Sequence, residues 1–520
     1  MLLIHQIKCP IGTEFSKEMI ARKLKCSDSD ILSCEIERQS LDARSGHFEW
    51  SYSVYAQLRN ERKYLRNKDV EEKERPVYEV PQGVKTEDRP VIAGFGPAGM
   101  FAALILAEAG MRPVVIERGK PCEERIKDVE KFFAEGILDE ESNVQYGEGG
   151  AGTFSDGKLT SRSKNYRVRK VLEELVEAGA DPAILYEHMP HLGTDRLRSI
   201  VTNIRKKIIS LGGEVHFSVK LESLDLKDRT LNGVLTSNGR IDTQAVLLCL
   251  GHSPFSTYQS LYEQGVHVIP KDFALGVRVE HPQILIDRNQ YGEYAGHPAL
   301  GHASYKLTHR SSAGRGVYSF CMCPGGIVVP SSSDHETLAV NGMSYSARDG
   351  KNANSAILVQ IPVSDYDHGH PLDGFAFQHA IEKKAYRGGY QAPAMNIRDF
   401  VNHDQSAAAV LKSSCPRGIL MENMHSLFSD AVNVSLEDSF IAFDRKIPGF
   451  LDGLMVGTET RSSSVIRMVR DENGQSVNTA GVFPCGEGAG YAGGIVSSAA
   501  DGIVQAENVI RFYREKQIAG

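Results

Sequence analysis

The most ordered pattern of hydrophobic and polar positions lies between Val91 and Arg118, which reads VIAGFGPAGMFAALILAEAGMRPVVIER. Three apolar residues, Val91-Ile92-Ala93, stop at the turn Gly94-Phe95-Gly96-Pro97-Ala98-Gly99. An Ala- and Leu-rich run with the length of a buried helix follows, and Gly110 closes it. Val114-Val115-Ile116 is a second apolar run and ends on Glu117. The pattern predicts a strand, a tight turn, a helix and a second strand, which is a βαβ unit.

Elsewhere the periodicity is more dispersed. Residues 2–8 read as a strand, and 15–24 as a helix with Met19, Ile20 and Leu24 on one side. Residues 31–38 and 50–58 read as further strands, the latter alternating through Tyr52, Val54 and Ala56. This β-α-β-β order fits half of a ferredoxin-like sheet and makes a small N-terminal α+β module. From 59 to 90, charge and proline replace the apolar pattern and suggest a linker or surface wrap.

Helical periodicity returns at 122–133, 166–179 and 194–211, with Thr194 placed as an N-cap. Strands are expected at 214–221, and at 233–236 and 245–250 as continuations of one sheet. Beyond Phe255 strand-like runs at 273–280, 317–322, 326–330, 338–342 and 356–362 mark a second α+β domain with a mixed or antiparallel sheet. Helices are expected there at 373–386 and 436–444. A last strand at 481–485 enters another glycine-rich turn and a helix running to Tyr513.

The first turn is a G-x-G-x-x-G placed between strand and helix, the context a dinucleotide site requires. Gly94 permits the turn, Gly96 lets backbone approach a pyrophosphate, and Gly99 lets helix and strand pack closely. The helix N-terminus adds unpaired N–H groups and about half a positive charge. Glu117 is placed to accept hydrogen bonds from a ribose diol, and its charge disfavours a 2′-phosphate, so FAD or NAD fits better than NADP.

Two later segments carry related chemistry. Residues 147–157 hold five glycines in eleven, interleaved with Thr153, Ser155 and Asp156, and Lys158 follows for a phosphate. No apolar strand precedes them, so they do not form a second dinucleotide turn. Residues 486–494 hold five glycines in nine and precede Ile495, almost 400 residues after the first turn. A plain NAD dehydrogenase has no need of that return, whereas a flavoprotein uses it to set a helix N-terminus against the flavin. Glu487 would then meet the ribityl or pyrophosphate region, with Gly493, Gly494 and Ile495 beside the isoalloxazine. The buried run ending at Gly251 brings backbone back to the cofactor, and His252 is either a ligand contact or an ordinary loop histidine.

Candidates for catalysis are few. Cys321 and Cys323 form a C-x-C on an expected strand, facing one way with Cα atoms roughly 6.6 Å apart, near the upper limit for a disulfide. They are either a redox pair or packed thiols. Arg461 would anchor an anionic substrate or sit in an ion pair, and His188 and His191 are weaker acid–base candidates. No metal site is expected, because no second cysteine or histidine pair stands at a ligating spacing.

Composition narrows the class. A chain of 520 residues accommodates two or three domains, and a net charge of −7 leaves no basic surplus for nucleic acid. No apolar run reaches the length of a membrane span, and residues 1–8 do not resemble a signal peptide. Nine scattered cysteines do not form a secreted disulfide framework, so a reduced, cytoplasmic setting is expected.

Taken together, VIAGFGPAGM, NVQYGEGGAGTFSDGKL, HLGTD, GVYSFCMCPGGIVVP, ANSA, GTETRSSS and PCGEGAGYAGGI resemble a bacterial family of FAD-dependent dehydrogenases or oxidoreductases of unassigned substrate. That family belongs to the glutathione-reductase-like flavoprotein superfamily, and the resemblance covers essentially the whole chain. It implies an α/β fold with a three-layer, Rossmann-like FAD domain from 89–255 and 478–520. An α+β cap or substrate domain would occupy 256–477, and the N-terminal module with its charged linker 1–88. By this resemblance Gly94, Gly96, Pro97, Ala98, Gly99, Glu117 and Arg118 bind the ADP half. Gly150, Thr153, Asp156 and Lys158 approach the pyrophosphate and flavin, Val219 the adenine, and Gly486 and Glu487 the flavin side. The flavin is expected to be non-covalent. Neither a second complete βαβ domain nor a CxxxxC is present, so NAD(P)H would at most bind transiently as electron donor. The expected activity is an FAD-dependent oxidoreductase acting on a small molecule or electron carrier. A non-catalytic nucleotide-binding or escort protein on the same scaffold and a flavin-dependent monooxygenase are the alternatives.

Overall fold

The computed structural model describes residues 1–44, 47–160 and 165–519. Two compact units form: Met1–Glu79 with Lys158–His191 and Gly296–Gly301, and Val80–Gly157 with Leu192–Ala295 and His302–Gly520.

The first unit is built on β1 (Leu2–Pro10), α1 (Lys17–Leu24), β2 (Ile31–Asp42), β3 (Glu49–Leu58) and β4 (Val70–Glu72). Its sheet runs β2-β3-β1-β4, with every pair antiparallel. Ile4, Ile20, Leu24, Val54 and Leu58 form its core. β4 lies inside the stretch that composition marks as a linker. Three residues are too short to show alternation, yet Val70 is buried and pairs with Ile4. Residues 158–191 are tied in by Gln39 N–H donating to Tyr186 O at 2.7 Å, and by Arg75 bridging Glu35 and Glu173, each at 2.6 Å.

The second unit is organised by β5 (Val91–Ala93), α2 (Pro97–Glu108), β6 (Val114–Glu117), α3 (Gly193–Ser210), β7 (Glu214–Phe217), β8 (Val246–Leu248), β9 (Val482–Pro484) and α4 (Ile495–Ala519). The sheet order is β9-β8-β5-β6-β7, all parallel. From β5 the chain moves outward through β6 to β7, then crosses to β8 and β9 on the other side. The strand order therefore reverses between β5 and β8, and such a switch opens a crevice at the carboxyl ends of the strands. Residues Ala98–Ala107 of α2 are all buried. A Cβ on Gly502 would fall 2.1 Å from Ala98 O, so the bare glycine is what lets α4 lie against α2.

Two local expectations are corrected. Residues 233–236 do not extend the parallel sheet; Thr230–Thr236 pairs with Leu221–Lys227 and Gly239–Asp242 in a separate antiparallel sheet. Asp228 and Arg229 both have positive φ, +48° and +58°, the geometry of a tight hairpin turn that folds the strand back on its neighbour. Thr194 is not an N-cap, because α3 begins at Gly193 and Leu192 occupies the cap position. The Thr194 hydroxyl instead donates to Thr153 O.

Between β8 and β9 lies a seven-stranded sheet centred on Phe273–Pro282, which pairs antiparallel with Asn352–Ile361 and Leu454–Glu459. Its interior holds a fully buried ion pair: Arg278 Nε and Nη2 donate to Glu459 at 2.6 and 3.2 Å. Arg278 Nη1 donates to Asn354 Oδ1 at 2.6 Å and to Cys321 O at 3.1 Å. A Cβ on Gly342 would sit 1.8 Å from Arg278 Nη1, so this strand must be bare where the guanidinium passes. Among the described residues no helix is long and apolar enough to cross a membrane. Arg278→Met should strand the Glu459 carboxylate and cost about 3–5 kcal/mol in chemical denaturation, with Arg278→Met/Glu459→Met recovering part of the loss. A single variant as stable as the parent would show that the pair does not hold the sheet.

Candidate functional site

The crevice floor is backbone. Gly94 has φ +101°, and a Cβ there would lie 2.2 Å from Cys249 O, so β5 and β8 touch where both strands end. A Cβ on Gly99 would lie 1.9 Å from Gly94 O, which fixes how closely α2 returns over the turn. Gly96 is the cap residue of α2 and Pro97 its first helical residue. Proline at that position removes an N–H that would have no helical partner, leaving those of Ala98 and Gly99 at the open end of the helix.

The three glycine segments meet here. Gly149 N–H donates to Phe95 O at 2.9 Å, and a Cβ on Gly150 would be 3.0 Å from Gly96 Cα. A Cβ on Gly152 would be 3.2 Å from Ile495 Cγ1, and one on Gly486 2.8 Å from Ala98 Cβ. Gly493 and Gly494 are exposed at the start of α4; a Cβ on Gly493 would enter open space, and one on Gly494 would meet only Ser497 Oγ, at 3.9 Å.

Glu117 does something the sequence does not announce. Its buried carboxylate accepts from the N–H groups of Phe95 (2.7 Å), Gly119 (2.9 Å) and Gly147 (3.0 Å). Three of its roughly four acceptor positions are thereby taken, and its charge ties the first turn to the second glycine loop. The expected role as ribose acceptor is correspondingly reduced to the one remaining lone pair. Arg118 stacks on Tyr146, 3.9 Å from the ring centre, and pairs with Glu141 at 2.6 Å. Val219 is buried beside them, its N–H donating to Glu117 O at 2.9 Å.

Other expected ligands are engaged within the protein. Asp156 is fully buried and accepts from Arg348 at 2.5 and 3.2 Å and from the Ser344 hydroxyl. The Thr153 hydroxyl donates to Glu148 O at 3.1 Å. Lys158 belongs to the first unit, where it forms an isolated antiparallel bridge with His191; His188 lies in the same unit. Arg461 resolves to an ion pair, since Nε and Nη2 donate to Glu382 at 2.8 and 2.7 Å, Nη2 also to Asp334 at 2.7 Å, and Nη1 to the Ser333 hydroxyl. Every nitrogen of its guanidinium is used, so the anion-anchor role is set aside.

The Cys321–Cys323 strand is not regular. Cys321 has φ +42°, and the pairing with Asn352–Ile361 slips between Phe320 and Cys323. A bulge of this kind breaks the alternation that would have turned both side chains the same way. Neither cysteine is in a disulfide, and Cys323 Sγ donates to Cys321 O at 3.1 Å. The hydrogen bond with the Cys321 side chain, and then burial, push the Cys323 thiol upward, away from the reactive thiolate.

Across the crevice, Gly251 has φ +71° and its carbonyl accepts from Tyr258 Oη at 2.6 Å. A Cβ on Gly488 would lie 2.1 Å from that carbonyl, so the β8 and β9 loops also touch through backbone. His252 Nδ1 stands 3.8 Å from Glu487 Oε1. Among the described residues His252 Nε2 and Ser253 Oγ are buried without a hydrogen-bond partner. Burial, with the Arg461 charge adding to it, pushes the imidazole down to about 4, so it is neutral. Burial pushes the Glu487 carboxyl up to about 7, against the opposing pull of the Lys271 ammonium. Sequence reasoning found Glu487 through its glycine turn but missed Lys271, which no local motif marks.

Residues 272–462 match the family model described as FAD-dependent protein, C-terminal domain-like. A protein of Clostridium beijerinckii, described only as uncharacterized, is 44% identical over 510 residues, 96% of each chain. The chain belongs to this FAD-dependent family. As a member it is an FAD-dependent protein, and its bare-backbone cradle with unpartnered polar atoms opposite fits a flavin dinucleotide. Among solved structures, glycine oxidase from Bacillus cereus is 11% identical with a TM-score of 0.32, over 82% of this chain and 96% of that one. L-proline dehydrogenase from P. horikoshii is 10% identical with a TM-score of 0.35, over 82% and 95%. A geranylgeranyl bacteriochlorophyll reductase-like protein from Thermoplasma acidophilum is 11% identical with a TM-score of 0.38, over 83% and 79%. At these scores none of the three bears on the reaction.

If Glu117 locks the two loops, Glu117→Ala should cost the FAD-free protein about 3 kcal/mol, the scale of charge-assisted hydrogen bonds to buried N–H groups. An unchanged denaturation midpoint for FAD-free Glu117→Ala would remove the locking role.

Proposed function

We propose that the crevice between β5 and β8 holds FAD without a covalent bond, and that the protein uses it to oxidise or reduce a small molecule or an electron carrier. The convergence of the three glycine segments at the strand-order switch carries this reading. Gly94, Gly96, Pro97, Ala98 and Gly99 would face the pyrophosphate, with Glu117 and Arg118 toward the ribose and Val219 toward the adenine. Gly150, Gly251, Gly486 and Glu487 would line the path to Gly493, Gly494 and Ile495 at the flavin. When bound, FAD would supply the two-electron redox chemistry. The parallel sheet offers one such crevice, so NAD(P)H, where it serves as donor, would dock only transiently.

The chain's own part is orientation, charge and protons. Glu487, held near neutrality, can give or take a proton at its carboxylate oxygen at physiological pH. Neutral His252 offers Nε2 as a hydrogen-bond partner or proton acceptor beside it. The N-terminus of α4 places partial positive charge where negative charge would build up next to Gly493 and Gly494. Cys321 and Cys323 are not needed in this account, and their bulged strand with its buried Cys323 favours packing.

The direct test is the absorbance spectrum of the protein supplied with FAD, followed anaerobically by NADH and then NADPH. Retained bands near roughly 370 and 450 nm are expected of oxidised flavin as a cofactor. Bleaching by either nucleotide would identify the donor, and failure to retain FAD would sink the reading. Gly96→Ala sharpens the test. Gly96 has φ −76°, and a Cβ there meets only Gly150 Cα at 3.7 Å, so the fold should survive while FAD affinity falls at least about tenfold as the methyl blocks the phosphate approach. A variant that folds and binds FAD as tightly as the parent would misplace the site.

Glu487 gives a pH test. Its folded value of about 7 lies above the usual 4.5, so between those values the folded state holds a proton that the unfolded state has lost. Stability should therefore fall as pH rises from about 5 to 8, by on the order of 2 kcal/mol. FAD-free Glu487→Gln should lack this component, so that its advantage in denaturation midpoint over the parent grows with pH. A pH-independent difference would mean that the carboxyl is not raised.

A further inference from the structure

The face of the cap formed by residues 397–437 carries a cluster that neither the flavin site nor any sequence motif uses. His403 follows the helix Ile397–Asn402, His425 lies in the 3₁₀ turn Met424–Leu427, and Glu437 lies within the helix Asp430–Asp444. Glu437 Oε1 is 3.1 Å from His425 Nε2 and 3.4 Å from His403 Nε2. The three ligand atoms all lie within 4.8 Å of one another.

The protonation of His425 is set by its neighbour. Asn423 Oδ1 accepts the backbone N–H of His425 at 2.9 Å, which identifies that atom as oxygen. The same oxygen stands 2.9 Å from His425 Nδ1, so Nδ1 must carry a hydrogen. In the neutral imidazole Nε2 then presents a lone pair, and it points at a carboxylate oxygen that also has only lone pairs. A cation has to lie between them, either a second proton on the ring or a metal ion. Phe400 stacks on His425 at 4.0 Å and 9° and holds that ring in place, whereas the exposed His403, stacked on it at 4.7 Å and 19°, has to turn for its Nε2 lone pair to meet the same ion.

We infer that His403, His425 and Glu437 form a binding site for a divalent transition-metal ion of the zinc class. Bonds of about 2.0–2.2 Å in a tetrahedral arrangement separate ligand atoms by roughly 3.3–3.6 Å, close to the two spacings to Glu437. Two imidazoles and a carboxylate are ligands that zinc accepts, and the Asn423 contact is the outer hydrogen bond that fixes the tautomer of a ligating histidine. His403 is 66% exposed, which leaves the fourth position open to water. Bound there, the ion would clasp the end of one helix, the 3₁₀ turn and the middle of a second helix. The inference does not depend on the flavin reading.

The test is calorimetric titration of Zn²⁺ into chelator-stripped, FAD-loaded protein, with melting temperature measured alongside. The parent should bind one equivalent more than His403→Asn and Glu437→Gln, and zinc should raise its melting temperature by an amount that both variants lose. Asparagine tolerates the left-handed backbone at 403, φ +57°, and the ring it replaces is largely exposed, so that variant keeps the fold. Should Glu437→Gln misfold, His403→Asn alone decides. A parent that takes up no zinc, or a His403→Asn that binds as many equivalents as the parent, would overturn the inference and leave a doubly protonated His425 as the bridging cation.

Discussion

The second unit depends on contacts in which no side chain fits. Gly94 meets the carbonyl of Cys249, Gly99 meets that of Gly94, Gly488 that of Gly251, and Gly502 that of Ala98, all at distances a Cβ cannot share. These contacts draw β5, β8 and the two helices flanking the crevice into one small volume. The crevice floor is therefore lined with peptide N–H groups and helix termini, which favour phosphate and developing negative charge. Because the floor is backbone, its charge cannot be tuned by substitution there. Tuning falls to the residues around its edge.

Those residues divide by whether their charge is answered. Glu117 is held by three N–H groups, Asp156 by Arg348 and Ser344, Arg278 by Glu459, and Arg461 by Glu382 and Asp334. An answered buried charge costs little to keep and is fixed in place. Glu487 is displaced toward its neutral form because burial outweighs the pull of Lys271, and His252 because burial and the Arg461 charge act together; the buried His281 and Glu148 are displaced the same way. Of these four, Glu487 and His252 stand 3.8 Å apart where the loops after β8 and β9 meet. That juxtaposition, more than either shift alone, makes the pair a candidate for moving a proton.

The parts legible in the sequence are those whose cause is local. Val91–Ala93 and Val114–Glu117 read as buried strands because each is a short apolar run bounded by turn residues, and the glycine turns read correctly because the steric need for glycine acts within a few residues. What depends on distant partners was not legible. Arg461 could be read either as an anion anchor or as half of an ion pair until Glu382 and Asp334 arrived from elsewhere in the second unit, and Glu117 looked available to a ribose until Gly147 reached it. β4 was too short to alternate, and the bulge at Cys321 is set by pairing with a strand more than thirty residues away. His403, His425 and Glu437 share no spacing that a motif could hold, since separate elements bring them together.

This division bears on where specificity resides. A cradle made of glycine backbone recognises what all dinucleotides share, phosphate and a flat ring, and gives little basis for choosing a substrate. The segment between β8 and β9 in the chain is built the other way. Its seven-stranded sheet is held by side-chain pairs such as Arg278–Glu459, and it contributes Lys271, whose ammonium lowers the cost of ionising Glu487. A change of substrate charge in this cleft would act on the same balance of burial against Lys271 that holds Glu487 near neutrality. An anionic substrate would raise the carboxyl further and favour proton donation, whereas a cationic one would lower it and favour proton removal. Were Glu487 to carry the proton, substrate charge and the direction of proton transfer would be coupled through one carboxyl, and the glycine floor beneath it need not change for either.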